Sequence, residues 1–378
     1  MRIGIVCYPT FGGSGVVATE LGKALAKKGH EIHFITYTQP VRLDFFHERV
    51  FYHEVSISSY PLFQFQPYEL ALAGKIVNVV KYEKLDLLHV HYAIPHASAA
   101  YMARQILLTE GIYLPVVTTL HGTDITLVGK DPSFEPVVTF SINQSDGVTA
   151  VSADLRKDTF QLFNINREIE VIPNFIDLER FRKRKMDHFK KAICPNNEKL
   201  LVHTSNFRKV KRVQDVILIF DRIRHRIPSK LLLVGDGPER VNMEKLCRDL
   251  GSCNDVRFLG KLDAVEDVLS VCDLFLMPSE KESFGLAALE AMACEVPVVS
   301  TNTGGLPELN IHGVTGFMSE VGDIDSMVAQ SLEVLEDANL PRFKANALKR
   351  AQEFDIEFIL PQYEQYYERI LQQKMAEK

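Results

Sequence analysis

The sequence predicts an α/β protein of two domains in series, each a parallel sheet covered by helices on both faces, with the sheets facing a central cleft. Three observations predict it. Short β-branched runs alternate with stretches whose apolar residues recur at helical spacing. The alternation pauses after Ile172 and restarts near Leu200. A length of 378 residues suits two domains at roughly 150 residues each.

Taken in order, Arg2–Cys7, Glu31–Thr36, Phe51–Ile57, Leu87–His91, Val116–Leu120, Gly147–Val151 and Glu168–Ile172 read as strands of the first domain. Strands covered on both faces are near-continuous apolar runs, and these segments have that character. Between them, Gly15–Lys28 and Tyr68–Glu83 carry helical spacing. The second block offers Leu200–Thr204, Lys230–Val234, Val256–Leu259, Leu274–Met277, Val296–Ser300 and a short Gly316–Ser319. From Asp323 onward the pattern is helical. The expected domains are therefore 1–172 and 173–356, with a last helix at about 357–378 returning to the first. Ligands of open α/β sheets bind at the carboxyl ends of their strands, so the cleft is the expected site.

Hydrophobic residues at 46% and charged residues at 24% are those of an ordinary globular chain. A net charge of −6 argues against a general nucleic-acid binder, which is usually basic. The opening MRIGIVCYPTFGG reads as a strand entering a glycine-rich turn and lacks the features of a signal peptide. No run approaches the roughly 18–20 apolar residues of a membrane span. The six cysteines are scattered without a C-x-x-C pair, as buried free thiols would be. A cytoplasmic protein is expected. Residues 179–191 carry seven basic residues against two acidic ones, and a solvated inter-domain helix is expected there rather than a membrane-facing one.

Two segments promise phosphate chemistry. Gly13, Gly15 and Ala18 satisfy G-x-G-x-x-A, but a nicotinamide site also needs a carboxylate ending the second strand. That region, His33 to Gln39, has none. No P-loop sequence is present either. The turn remains a candidate ligand loop at a helix N-terminus. The stronger segment is Ser279-Glu280-Lys281-Glu282-Ser283-Phe284-Gly285-Leu286, followed by strong helix formers. Its Ser283–Gly285 stretch should lie at a helix N-terminus, where free N–H groups and the dipole favour a diphosphate. Glu290, about a turn further, can accept hydroxyls beside that phosphate, and Glu282 can address a sugar. Upstream, Arg208 and Lys211 sit on a loop entering a helix, placed to neutralise a pyrophosphate leaving group.

With these residues in view, the sequence resembles the family-4 retaining glycosyltransferases of GT-B architecture, which have two Rossmann-like domains. The E-x7-E pair Glu282 and Glu290 within ESFGLAALEAMA is its most specific mark. VGDGPE (Val234–Glu239), FLGK (Phe258–Lys261), PVVSTNTGGLPE ending at Glu308, HGTD (His121–Asp124) and IPNFID (Ile172–Asp177) support it. The resemblance implies that Glu290 holds the ribose of a UDP-sugar, Glu282 the sugar hydroxyls, and Ser283, Phe284, Gly285 and Leu286 the diphosphate. It implies that Lys211 neutralises the diphosphate, that His121 contacts the sugar near its reacting carbon, and that Gly13, Asn206, Gly260, Lys261 and Leu262 complete the donor site. The usual family arginine five residues before the lysine is Asn206 here, and Arg208 is expected to supply its charge.

CYPTFGGSG (Cys7–Gly15), HVHYAIPHA (His89–Ala97), TTLHGTDIT (Thr118–Thr126) and SNFRKVKRVQDV (Ser205–Val216) narrow the resemblance. They are similar to the branch that joins N-acetylglucosamine from UDP-N-acetylglucosamine to L-malate, with the α configuration kept, in bacillithiol biosynthesis. Malate is a small dianion, and Ser14, Gly15, Tyr92, Thr118 or Thr119, and Arg208 are the expected acceptor contacts. No cofactor is expected, and no metal: Asp323-Ile324-Asp325 should open a helix, and His89-Val90-His91 alternates along a strand. A homodimer is compatible with the sequence. A relative with another small or lipid acceptor, an epimerase, and a non-catalytic UDP-sugar sensor are the competing readings.

Overall fold

The computed structural model describes residues 1–10, 12–43, 48–57, 65–129 and 131–376. Phe11 of the glycine-rich turn and the last two residues of the expected terminal helix lie outside them. The chain divides into two compact units. One comprises Met1–Asn174 with Ile356–Lys378, and the other comprises Phe175–Asp355. The division falls two residues after the expected boundary, and the final helix groups with the first unit.

In the first unit the order is β1 (Arg2–Val6), α1 (Gly13–Lys27), β2 (Glu31–Thr36), β3 (Val50–Glu54), α2 (Tyr68–Glu83), β4 (Leu87–His91), α3 (Ser98–Leu108), β5 (Val116–Leu120), α4 (Glu135–Gln144), β6 (Gly147–Ala150), α5 (Ala153–Leu162) and β7 (Glu170–Val171). All seven strands run parallel in the order β3-β2-β1-β4-β5-β6-β7. Ile3 pairs with Ile32 on one side and Leu87 on the other. The order reverses between β1 and β4, so the loops leaving their carboxyl ends diverge and open a binding place. Leu72, Ile76, Leu88, Val90, Ala99 and Leu107 fill the layer between sheet and helices. Each fully buried aliphatic side chain contributes about 1.5–3 kcal/mol.

The second unit contains α6 (Asp187–Ile193), β8 (Lys199–Thr204), α7 (Val213–Arg224), β9 (Ser229–Val234), α8 (Arg240–Asp249), β10 (Val256–Gly260), α9 (Val265–Leu269), β11 (Leu274–Met277), α10 (Leu286–Ala293), β12 (Val298–Thr301), α11 (Leu306–Leu309), β13 (Gly316–Ser319), α12 (Ile324–Leu335) and α13 (Leu340–Gln352). Its parallel order, β10-β9-β8-β11-β12-β13, reverses between β8 and β11. Strand β12 starts at Val298 rather than Val296; Pro297 has no N–H for the ladder, though its carbonyl accepts from Phe275.

The last helix, α14 (Ile356–Ala376), docks on the first unit through aromatic residues. Tyr363 and Tyr367 are fully buried. Tyr366 donates to the Val148 carbonyl at 3.1 Å, and a Cβ on Gly147 would lie 2.7 Å from its hydroxyl. Tyr367 and His89 Nδ1 are 2.7 Å apart.

The basic run at 179–191 differs from expectation. It belongs to the second unit, and only the short α6 is helical there. Several of its cations pair with acidic neighbours: Arg184 with Asp267, Lys183 with Glu295 and Lys190 with Asp273. Part of the run is thus paired within its own unit, while Arg182, Lys185 and Lys191 are exposed to solvent. Among the described residues no helix is long and apolar enough to cross a membrane.

Candidate active site

In the second unit two loops leave the strands at which the sheet order reverses. Ser205–Arg208 follows β8 and passes through a 3-10 turn, Lys209–Lys211, into α7. Residues 278–285 follow β11 and lead into α10. Lys211 Nζ donates to Glu282 Oε1 at 2.5 Å, and Ser279 Oγ donates to the same oxygen at 2.9 Å. The Glu282 side chain is only 10% exposed and that of Lys211 22%. An ionised carboxylate in so enclosed a place requires such donors.

The supporting motifs act through these two loops. A Cβ on Gly304, whose φ is +61°, would lie 1.8 Å from the Glu282 carbonyl oxygen. Gly305 N–H donates to that oxygen at 2.9 Å. On the other side, a Cβ on Gly235 would stand 1.8 Å from Ser205 O, and one on Gly237 2.0 Å from Asn206 O. Only glycine permits these backbone approaches. Thr301 and Thr303 add hydroxyl bonds to the Ser279 and Glu280 carbonyls, at 2.6 and 3.1 Å. Thus VGDGPE and STNTGGLPE brace the two loops.

Helix α10 begins after Gly285, which adopts φ +95° and offers no side-chain cap. Its first N–H groups therefore suit an anion. Ser283, Gly285 and Leu286 fall where the sequence put them. The Phe284 side chain is buried edge-on to Phe354, with centroids 5.5 Å apart, so only its backbone is available to a ligand. Glu290 is buried within α10. Asn206 and Arg208 are exposed, and Arg208 has no ion-pair partner among the described residues. Gly260 comes to the same region, its carbonyl accepting from Gly235 N–H at 2.7 Å, with Lys261 and Leu262 exposed beyond it.

Sequence reasoning missed Ser279 and His203. His203 is fully buried, with Nδ1 2.8 Å from Leu276 O and Nε2 2.8 Å from Ser205 Oγ. It links β11 to the loop that follows β8, and burial lowers its pKa to about 4. A histidine inside the apolar run LLVHT was the available signal.

In the first unit, the turns after β1, β4 and β5 converge. Ser14 Oγ donates to Tyr92 Oη at 2.9 Å. Tyr92, held at φ +90°, packs against Tyr8 at 5.3 Å and His121 at 5.4 Å between centroids. A bulky residue at positive φ is a strained state that the surrounding fold must enforce. His121 Nε2 lies 2.8 Å from His91 Nδ1. Asp124 of HGTD binds this corner together, accepting from Gly122 N–H at 3.0 Å and Ala93 N–H at 2.9 Å. Burial raises the Asp124 pKa to about 6, against the lowering effect of those N–H groups. Burial, and then the nearby His96, lower that of His121 to about 3. His121 is therefore neutral near pH 7, a hydrogen-bonding group rather than a cation.

Three acceptor expectations are corrected. Thr118 is fully buried, its hydroxyl 2.7 Å from Ser145 Oγ. Thr119 is equally buried between His89 Nε2 and Thr149 Oγ1, both at 2.7 Å. Both hydroxyls serve the sheet interior. Gly15 N–H is committed to the Gly12 carbonyl at 3.1 Å, and a Cβ there would lie 2.3 Å from Tyr8 O, so Gly15 shapes the turn. Gly13 opens α1 behind Gly12, which supplies no side-chain cap. Of the D-x-D string, Asp323 caps α12 by accepting from Ser326 N–H at 3.0 Å, and Asp325 pairs with Arg222.

Residues 184–351 match the family model described as glycosyl transferases group 1, and residues 11–180 match Glycosyltransferase Family 4. The chain is 49% identical over 374 residues to N-acetyl-alpha-D-glucosaminyl L-malate synthase of Bacillus anthracis, covering 98% of this chain and 97% of that one. Among solved structures, Anabaena HepE in complex with UDP and glucose matches with a TM-score of 0.81 at 22% identity, over 97% of this chain and 99% of that one. Sucrose-phosphate synthase from Thermosynechococcus elongatus matches with a TM-score of 0.79 at 21% identity over the whole of both chains. The two parallel-sheet units and their loops define a glycosyltransferase of the GT-B class. The chain belongs to Glycosyltransferase Family 4.

Proposed function

We propose that the protein transfers N-acetylglucosamine from UDP-N-acetylglucosamine to the hydroxyl of L-malate, keeping the α configuration and releasing UDP, as a step of bacillithiol biosynthesis. The observation that carries the transfer reading is the Lys211–Glu282 pair three residues ahead of the uncapped α10 terminus. A cation, a sugar-facing carboxylate and a set of free N–H groups are what a sugar diphosphate needs. Malate as acceptor is supported by the 49% identical relative and by the polar Ser14–Tyr92 pair.

In this reading Glu290 accepts the ribose hydroxyls and Glu282 those of the sugar. Lys211, Arg208 and the N–H groups of Ser283–Leu286 stabilise the departing diphosphate. The malate hydroxyl attacks from the face that UDP leaves, and a phosphate oxygen takes its proton. Catalysis is then positioning plus stabilisation of developing charge. Neutral His121, held by His91, hydrogen-bonds the sugar. Ser14, Tyr92 and Arg208 receive the carboxylates. No step uses a metal, and turnover is expected to survive a chelator. A cytoplasmic location belongs to this reading, supported by the biosynthetic relative. Exposed apolar side chains on α3 and α4 (Met102, Ile106, Val137 and Phe140) support a homodimer, which sedimentation would detect.

The deciding experiment follows UDP release from UDP-N-acetylglucosamine with and without L-malate and reads the anomeric coupling of the product by NMR. Malate-dependent release with an α product is expected. Release indifferent to malate would keep the transferase and remove the acceptor, whereas UDP binding without release would leave a sensor.

A further inference from the structure

A second cluster of chemistry-bearing side chains lies in the first unit and includes none of the residues assigned to sugar transfer. Strands β2 and β3 run parallel with His33 opposite Phe51 and Ile35 opposite His53. Side chains two apart share a face, so Glu31, His33, Phe51 and His53 line one side of this pair. The Phe51 ring stacks on His33 with centroids 4.9 Å apart. Glu83, the last residue of α2, reaches the same place. One ligand atom each from His33, His53 and Glu83 lies within 4.8 Å of the others.

The hydrogen bonds point to Nδ1 as the available nitrogen of His33. His33 Nε2 is 3.1 Å from Glu31 Oε1, and an ionised carboxylate only accepts. Nε2 therefore carries a proton, and in the neutral imidazole Nδ1 carries a lone pair. That Nδ1 is 3.0 Å from His53 Nε2, which must donate to it. Moving the His53 proton to its own Nδ1 leaves a lone pair on each of these two nitrogens within 4.8 Å of a Glu83 ligand atom, without loss of a proton overall. Tetrahedral zinc with Zn–N bonds of about 2.0–2.1 Å separates two nitrogens by about 3.3 Å. The pair is therefore about 0.3 Å short of that spacing. Glu31 occupies the place of the carboxylate that orients a metal-bound histidine from behind.

We infer that His33, His53 and Glu83 bind one divalent cation of the zinc type, with Glu31 orienting His33. Two imidazoles and one carboxylate favour a first-row transition ion over magnesium or calcium. The net charge of the surroundings permits it. Glu31 and Glu83 are opposed by Lys75, which acts on His53, and by Arg2, 3.5 Å from Glu31. His33 is fully buried while His53 and Glu83 are half-buried, so an ion can enter from solvent at one side. Bound there, it joins the edge strand β3 to β2 and to the end of α2. Its role is structural, separate from turnover.

The test uses the full-length, untagged protein, stripped with a chelator and titrated with Co(II) and, by calorimetry, Zn(II). One equivalent of Co(II) with visible absorption of low-symmetry coordination is expected, together with a raised thermal midpoint in Zn(II). His53→Ala and Glu83→Gln should each weaken Zn(II) binding at least tenfold and abolish the thermal shift. Glu31→Gln should weaken binding about 10–100-fold. His225→Ala, at an exposed histidine elsewhere, should change nothing. Because His33 is in the core, the two half-buried positions decide the matter. Absence of a saturable equivalent overturns the proposal, as does unaltered binding in both His53→Ala and Glu83→Gln.

Discussion

Lys211 Nζ stands 2.5 Å from Glu282 Oε1, so the cation proposed for the departing diphosphate and the carboxylate proposed for the sugar form one charge pair. Each positions the other before any substrate arrives. Lys211→Met leaves a nearly buried carboxylate with Ser279 as its remaining donor. Turnover should fall about 10²–10³-fold, and stability by about 1–3 kcal/mol. Adding Glu282→Gln should restore part of the thermal midpoint and none of the turnover. Steady-state rates and melting curves of the four-member cycle give the coupling, and strict additivity in both would refute it.

Glu290 lies in α10, behind the loop proposed to hold the diphosphate. Glu290→Gln keeps its size and removes its charge, so nucleotide contact should suffer first. Calorimetry should show UDP bound about tenfold more weakly, a difference of about 1.4 kcal/mol, with the acceptor KM unchanged. Unchanged UDP affinity would remove Glu290 from the ribose.

The bracing glycines give a contrast between two apparently identical changes. Gly304→Ala places a methyl 1.8 Å from Glu282 O at φ +61°, forcing the donor loop aside. Soluble yield and turnover should both drop sharply. Gly74→Ala, inside α2 with nothing within 4 Å, should raise stability by about 0.5–1 kcal/mol. Melting curves of the two variants, read beside their rates, make the comparison.

Acid should destabilise the fold through its buried histidines. Burial lowers the pKa of His89 to about 3, and those of His96 and His203 to about 4, from 6.5. Their stabilising share is complete above pH 6.5 and is lost as pH falls below it, because the unfolded chain takes up protons first. At about pH 5 the loss is about 2 kcal/mol per ring. Asp124, raised from 3.8 to about 6, acts oppositely, favouring the folded state as pH falls through that window. With His91 and His121 also lowered by burial, five rings against one carboxyl leave the histidines in control. The thermal midpoint should therefore fall between pH 6.5 and 5, and a flat profile there would contradict the assignment.

Much of the architecture was legible because parallel, two-side-covered strands have no polar face to confuse the pattern. Glu31–Thr36, Leu87–His91, Val116–Leu120 and Leu274–Met277 begin and end where the apolar runs do. The loop ahead of α10 was legible because E-x7-E spans that loop and its helix, a local relation that spacing can express. What spacing cannot express is contact across the fold. The glycines of VGDGPE and TGGLPE are there for the carbonyls of Ser205, Asn206 and Glu282, about 30, 31 and 22 positions away along the chain. Thr118 and Thr119 misled for the same reason. A hydroxyl at a strand end is written the same way whether it faces a ligand or, as here, Ser145 and Thr149 on the neighbouring segment. The pairing of part of the basic run was hidden because its acidic partners, Asp267, Asp273 and Glu295, lie some 80–110 residues later.

The return of α14 to the first unit makes the second unit an insertion. Its entry and exit are stitched together, with Ile176 N–H donating to the Phe354 carbonyl at 2.9 Å and Ile176 bridged to Asp355. Residues 175–355 can thus be treated as a cassette with a single seam. Exchange of that cassette would replace the loops proposed to hold the sugar nucleotide while the other unit kept its own sheet and α14. Removing α14, by contrast, would strike at a half of the molecule synthesised well before it: β4 and β6 keep their Tyr367 and Tyr366 partners only once this helix has been made.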